Sequence, residues 1–122
     1  MTAQTERDGL VLALGISAGI HAGLVPVHLE EEPALGVGFV LATISLWAAI
    51  VALRRRPASP LPPAAAALLL AALLAGYAVT RADERVDGLG LVTKAIELAG
   101  LVLAWRLGRS AAPHRLPKGA PV

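Results

Sequence analysis

Apolar residues along this chain gather in four long runs that are separated by short polar stretches. The runs cover about residues 9–29, 35–53, 62–80 and 89–107, and the separators read EEEP, RRRPASPLP and RADERVDG. A run of about 20 residues, at a rise of about 1.5 Å per residue, matches a hydrocarbon core about 30 Å thick. Proline in the second separator breaks the helical pattern and suits the start of the third run. The pattern predicts an all-α integral membrane protein, a bundle of four transmembrane helices.

The composition supports a membrane location. The 122-residue chain is 56% hydrophobic and 16% charged, with a mean hydropathy of +0.66. A soluble chain of this length exposes a large share of its surface and could not bury so much apolar area. The absence of cysteine excludes disulfides, thiolate metal sites and thiol redox chemistry. Basic residues cluster beside the apolar runs, which indicates a lipid bilayer as partner and excludes nucleic acid.

The distribution of basic residues predicts the orientation in the membrane. One side of the predicted spans carries Arg7, Arg54, Arg55, Arg56, Arg106, Arg109, Arg115 and Lys118. The other side carries only Arg81 and Arg85. Because cytoplasmic loops are enriched in lysine and arginine, both termini are predicted to be cytoplasmic, in a multi-pass protein of the bacterial cytoplasmic membrane. Residues 1–8 then form a cytoplasmic N-terminus, and residues 108–122, rich in proline and small residues, form a disordered cytoplasmic tail.

Cleavage of the first span as a signal peptide is disfavoured. The leader MTAQTERDG mixes acidic and basic residues, whereas a signal peptide begins with a plainly positive segment. The apolar run that follows is also longer than a typical signal-peptide core. The first span is therefore expected to remain as a helix of the bundle.

Small residues recur at every fourth position in two of the spans. These helix-packing candidates are Gly15, Gly19 and Gly23 in the first span, and Gly100, Ala104 and Gly108 in the fourth. In lipid, helices associate through close backbone approach and van der Waals contact, which such stripes permit. The stripes predict self-association or binding to a larger membrane complex. Ordinary packing inside a single bundle is the equally weighted alternative.

Ionisable residues lie near the middle of two spans. His21 and Glu97 are each about eight residues, or roughly 12 Å, from the outer end of their helix. A charged group at this depth is costly in lipid, so each is expected to face the bundle interior and find a partner. Lys94 is placed to pair with Glu97 at i,i+3, although it could instead snorkel to the surface. The predicted midplane cluster is His21, Glu97, Lys94, Ser17, Thr43, Ser45 and Thr93.

The midplane cluster has two interpretations. A carboxylate beside an imidazole can exchange protons or bind a cation or small solute, as transporters require. A structural clasp that fixes the helix register is the alternative. A second polar group is predicted at the outer mouth of the bundle, consisting of His28, Glu30, Glu31, Glu32 and Tyr77. For the three glutamates, a solvated loop is the favoured explanation over a bound ion.

No cofactor is predicted. His21 and His28 are about 10 Å apart along a regular helix, too far to share one metal ion. A metal held by His28 with Glu31 is left open. A bis-histidine haem is disfavoured because the remaining histidine, His114, lies in the tail. Copper(I) is disfavoured because the chain lacks cysteine and has only Met1.

The sequence also lacks the motifs of common enzymes. No phosphate-binding glycine loop, no catalytic-triad spacing and no HExxH motif occurs in the chain. An enzymatic function is left uncertain and is the less favoured class. The preferred function is an ion-, proton- or small-solute-handling transport component, and the alternative is a non-catalytic accessory subunit that packs through its glycine stripes.

Two stretches resemble a family of small four-span bacterial membrane proteins of unassigned activity. HAGLVPVHLEEEPALGVGF resembles their first span and first loop, with an H…P.H…E…G..F pattern. YAVTR followed by DGLGLVTKAIEL is similar to their third loop and fourth span, which carries an intramembrane glutamate at the position of Glu97. The resemblance implies the four-span fold and the choice of Glu97 as a site residue. Their pattern often has an acid about two helical turns earlier, where this chain has Gly90, so it does not imply a two-carboxylate site.

Overall fold

Four long helices make up the computed structural model, which describes residues 1–81 and 87–111. They are α1 (Ala3–Glu31), α2 (Pro33–Arg55), α3 (Leu61–Thr80) and α4 (Gly88–Ser110). Each helix is long and apolar enough to cross a membrane. The prediction of an all-α bundle of four membrane-spanning helices is therefore confirmed.

Helices α1 and α4 begin earlier than the apolar runs because polar residues cap their first turns. The side chain of Thr2 accepts a hydrogen bond from the backbone N–H of Thr5, so α1 begins at Ala3 and takes in most of the predicted N-terminus. Asp87 caps α4 in the same way. Helix α4 also includes the first residues of the predicted tail, and the tail from residue 112 onward lies outside the described residues.

The helices run alternately up and down, and their packing is uneven. Helices α1 and α2 pack most extensively, α4 contacts both α1 and α3, and the seam between α2 and α3 is the loosest. We call the end where α1 and α3 finish the Glu31 end, and the opposite end the Arg55 end. The apolar core fills the Arg55 half, and it consists of Leu10, Leu14, Ala18, Leu46, Ile50, Leu53, Ala66, Leu70, Ala104 and Leu107.

The outer surface of the bundle is also apolar. Large aliphatic side chains such as Leu41, Ile44, Leu68 and Val79 are between 60% and 79% exposed. A helix that is hydrophobic on all sides is typical of a membrane span, because lipid covers the face that its neighbours do not. The exterior thus matches a multi-pass membrane protein.

Glycine permits two close contacts inside the bundle. A Cβ built on Gly36 would lie 2.6 Å from the backbone nitrogen of Leu29, so α1 and α2 meet backbone to backbone just after their connection. A Cβ on Gly100 would lie 3.1 Å from Leu70 and 3.2 Å from Ala13. Ala104, one turn further along α4, is fully buried. This part of the predicted α4 stripe packs inside the bundle.

The α1 stripe is placed differently. No described atom lies within 4 Å of a Cβ built on Gly15, Gly19 or Gly23, and the same holds for Gly108 at the end of α4. The alternative of ordinary packing within one bundle therefore does not describe the α1 stripe. This face is open to lipid or to another protein chain.

Polar contacts at the Arg55 end join three helices. Arg106 of α4 pairs with the buried carboxylate of Glu6 on α1 at 2.8 Å. Arg7 donates hydrogen bonds to the carbonyl oxygens of Leu53, at 3.0 Å, and of Pro57. These carbonyls lie at and just beyond the last turn of α2, where helix geometry leaves them without partners. Both arginines therefore have structural roles at this end of the bundle.

Candidate functional site

A cavity of about 540 Å³ opens between the four helices in the Glu31 half of the bundle. It exists because α2 and α3 present small residues to one another there, namely Gly38, Ala42, Ala72 and Gly76. These four residues are too small to fill the space between α2 and α3. The remaining walls are largely apolar, so the cavity resembles a typical small-molecule pocket in size and lining.

Glu97 lies beneath the cavity floor and has no solvent exposure. Its Oε1 accepts a hydrogen bond from Ser17 Oγ on α1 at 2.8 Å. Its Oε2 accepts one from Lys94 Nζ at 2.5 Å. Both oxygens of the carboxylate are therefore paired, which offsets much of the cost of placing this charge at membrane depth.

His21 lies between the cavity and Glu97. Its Nδ1 is 2.8 Å from the backbone oxygen of Ser17, and since a carbonyl only accepts hydrogen bonds, Nδ1 must carry a proton. Nε2 is 3.9 Å from Glu97 Oε1, beyond hydrogen-bond distance.

The ring of Phe39 on α2 contacts both histidines of α1. Its ring is stacked on His28 with centroids 4.3 Å apart, and it lies 5.1 Å from His21 at a tilt of 38°. The Nδ1 of His28 donates to the backbone oxygen of Leu24 at 2.9 Å. Phe39 was not among the predicted site residues. It is the single phenylalanine of the chain and falls in the G..F part of the pattern quoted above, which is the signal that could have indicated it.

Lys94 and Tyr77 form the opposite wall of the cavity. The Lys94 ammonium lies 5.1 Å from the Tyr77 ring centroid and is directed inward to Glu97, so the alternative that it snorkels to the surface is not observed. The Tyr77 hydroxyl is buried and has no hydrogen-bond partner among the described residues. It lies against Gly90, where a Cβ would come within 2.7 Å of it. An acid at position 90 would require Tyr77 to move.

The other residues predicted for the midplane cluster are placed differently from one another. Thr93 is buried and lines the cavity, with its hydroxyl donating to the Leu89 carbonyl at 2.7 Å. Thr43 donates to the Phe39 carbonyl at 2.8 Å and does not contact Glu97. Ser45 is exposed, because two residues along a helix turn a side chain by about 200°. The structure therefore brings together Ser17, His21, Lys94 and Glu97, which we call the floor cluster.

The residues predicted for the outer mouth divide in a similar way. His28 and Tyr77 line the cavity, whereas the three glutamates at the end of α1 are exposed and lie outside its lining. Within residues 1–81 and 87–111, no three histidine, aspartate or glutamate side chains are gathered as metal ligands. A metal held by His28 with Glu31 stays a prediction.

Comparison with known proteins adds no assignment to this geometry. No protein-family model matches the chain, and neither a curated protein nor a solved structure matches it. Because one fold serves many functions, a function has to be inferred from the chemistry of the cavity and the floor cluster.

Proposed function

We propose that this protein is a small transport component that binds a small solute in the cavity and handles a proton at the floor cluster. One observation carries the proposal. His21 and Lys94 each line the cavity, and each also approaches the buried carboxylate of Glu97, one on either oxygen. Events in the cavity can therefore reach Glu97 through two side chains.

In this proposal, the ion pair between Lys94 and Glu97 is the resting state of the floor cluster, before a solute binds. It keeps two opposite charges together at a depth where a single charge is costly. When Lys94 moves toward the cavity, Glu97 loses its countercharge and favours the protonated form. Nε2 of His21, which faces both the cavity and Glu97, is the route by which that proton arrives.

A structural clasp is the alternative role for the same residues, and it requires a different environment around Glu97. Glu97 is dry and paired on both oxygens, as a clasp requires. A clasp, however, does not need a cavity, and a packed interior like that of the Arg55 half would serve it better. The cavity beside His21 and Lys94 favours the transport component.

Isotope-edited infrared difference spectroscopy of the purified protein across pH 4 to 9 tests the proposal. We expect a carboxyl signal of Glu97 that changes with pH, disappears in Glu97→Gln and is displaced in His21→Ala. Glu6→Gln is the matched control, since it removes the other buried glutamate, which pairs with Arg106 at the far end of the bundle. A Glu97 signal that does not change with pH, or that ignores His21→Ala, would establish the clasp instead.

The orientation belongs to the same proposal. The excess of arginine at the Arg55 end supports cytoplasmic termini in a bacterial cytoplasmic membrane, so the cavity would open on the outer side. Because the chain has no cysteine, Glu31→Cys and Arg55→Cys each introduce a single exposed thiol. In intact cells, a membrane-impermeant thiol reagent should label the first and spare the second. The opposite labelling pattern would invert the orientation.

A second candidate is the accessory subunit that packs through its glycine stripe. It is favoured by the open α1 face, where no described atom occupies the space beside Gly15, Gly19 and Gly23. Such a subunit should form a complex whose detergent-corrected mass exceeds that of one chain. Gly19→Leu should reduce that mass to a single chain, while Gly38→Leu on α2 should leave it unchanged.

A further inference from the structure

We propose that the cavity binds a small organic monoanion, an apolar body with one carboxylate, and that one proton is bound together with it. This inference rests on the proposed function of the cavity and specifies the class of its substrate. The carboxylate is held by the Lys94 ammonium and the Tyr77 hydroxyl, and the apolar body lies against the aliphatic walls.

The first support is an excess of hydrogen-bond donors on one wall. The Lys94 ammonium has three N–H groups and, among residues 1–81 and 87–111, one hydrogen bond, which goes to Glu97. The Tyr77 hydroxyl is buried without a partner among the described residues. A buried polar group without a partner is unfavourable, and a turn of the ring that carries the hydroxyl from Gly90 to an acceptor brought by a ligand would relieve it. The Lys94 ammonium lies 5.1 Å from the centroid of the Tyr77 ring, so both donors belong to the same wall of the cavity.

The second support is the shape and lining of the rest of the cavity. A volume of about 540 Å³ accommodates a small organic molecule. The lining away from Lys94 and Tyr77 is mainly aliphatic and aromatic, and consists of Ile20, Leu24, Leu35, Phe39, Leu73 and Leu89. With polar groups on one wall and apolar side chains on the others, the cavity favours a ligand that has one polar head and one apolar body.

The third support is the charge balance around Glu97. An anion on Lys94 would put a second negative charge beside Glu97, with one ammonium between two carboxylates, so proton binding becomes favourable. The residues facing Glu97 are Ser17 and His21 from α1 and Lys94 from α4 itself. Tyr77 from α3, His28 from α1, and Arg81 and Asp87 at the rim also line the cavity, whereas α2 contributes no ionisable side chain. The anion and the proton would therefore enter as a neutral pair, which suits passage through a membrane.

Isothermal titration calorimetry of the protein in lipid nanodiscs tests this inference with three probes of equal length. Hexanoate carries the anion, hexanamide is its neutral counterpart and hexylammonium is the cation. We expect hexanoate to bind about tenfold more tightly than hexanamide, the difference typical of a charge-assisted hydrogen bond. Titration in buffers of different ionisation enthalpy should show proton uptake that accompanies hexanoate and not hexanamide.

Variants separate the contributions of Lys94, Tyr77 and Glu97. Lys94→Gln and Tyr77→Phe should each reduce the affinity for hexanoate more than that for hexanamide, and continued binding of hexanamide shows that the cavity is intact. Glu97→Gln should retain hexanoate binding and lose the proton uptake. Empty nanodiscs correct for partition of the probes into lipid.

The outcomes distinguish this inference from the proposed function beneath it. Equal binding of hexanoate and hexanamide, tighter binding of hexylammonium, or no binding of any probe would overturn the anion assignment. The infrared signal of Glu97 would then decide separately whether the floor cluster handles protons. A pH-insensitive Glu97 together with absent hexanoate binding would overturn both.

Discussion

Ser17 donates a hydrogen bond of 2.8 Å to Glu97, a residue 80 positions further along the chain. The bond joins α1 to α4 where the packed half of the bundle meets the cavity. Both side chains have no solvent exposure. The hydroxyl therefore fixes the carboxylate at the height at which Lys94 and His21 also reach it.

Removing this hydroxyl is expected to weaken the fold. Ser17→Ala leaves Glu97 Oε1 without its donor, so the free energy of unfolding should fall by about 1–3 kcal/mol. Unfolding in mixed detergent micelles measures the change. Ser45→Ala is the matched control, because the same substitution at an exposed position of α2 removes no observed contact. Equal effects of the two substitutions would contradict a structural role for Ser17.

Breaking the ion pair should cost more than removing it entirely. Glu97→Leu leaves the Lys94 ammonium partly buried without its carboxylate, and should lower the free energy of unfolding by about 3–5 kcal/mol. The double variant Lys94→Met with Glu97→Leu removes both charges and should recover most of that loss. The same micelle unfolding assay compares the two. A double variant no more stable than Glu97→Leu would show that the pair itself stabilises the bundle.

Gly36 is expected to tolerate no larger side chain. Its Cβ would lie 2.6 Å from the Leu29 nitrogen and 2.7 Å from the Leu29 Cα, both of which are backbone atoms that cannot rotate away. Gly36→Ala should therefore destabilise the protein by about 1–3 kcal/mol through forced separation of α1 and α2. Gly38→Ala, two residues further on, meets no described atom within 4 Å and should leave the stability equal or slightly raised. The prediction fails if the two substitutions behave alike.

Tyr77→Phe should separate stability from binding. The hydroxyl is buried without a partner among the described residues, so its removal should leave the free energy of unfolding unchanged or raise it by up to about 1 kcal/mol. Hexanoate binding should nevertheless weaken, because the ligand loses one donor. Unfolding and calorimetry on the same preparation provide both values. A clear loss of stability would instead show that the hydroxyl has a partner in the folded protein.

Much of the architecture follows from the sequence because the membrane imposes a simple rule on length. Four apolar runs of similar length predict four helices, and the structure has them. The constant rise of a helix also predicts that His21 and Glu97 lie at the same depth. In the structure, His21 Nε2 is 3.9 Å from Glu97 Oε1. Lys94, at i,i+3 from Glu97, follows from the same geometry.

Other features of the site depend on which faces of the helices meet. The sequence does not predict those faces, because the helices are apolar on all sides. Thr43 and Ser45 were expected near Glu97, yet Thr43 bonds to its own helix and Ser45 faces outward. The unpartnered Tyr77 hydroxyl and the stack of Phe39 on His28 arise from contacts between helices.

The sequence by itself thus determined the number, length and relative depth of the helices, because apolar length and helical rise are local properties. Tertiary structure alone decided that the Arg55 half is packed while the Glu31 half is hollow. The physical reason is that a cavity depends on small residues of α2 and α3 facing one another, and only the rotation of each helix in the bundle determines that they do.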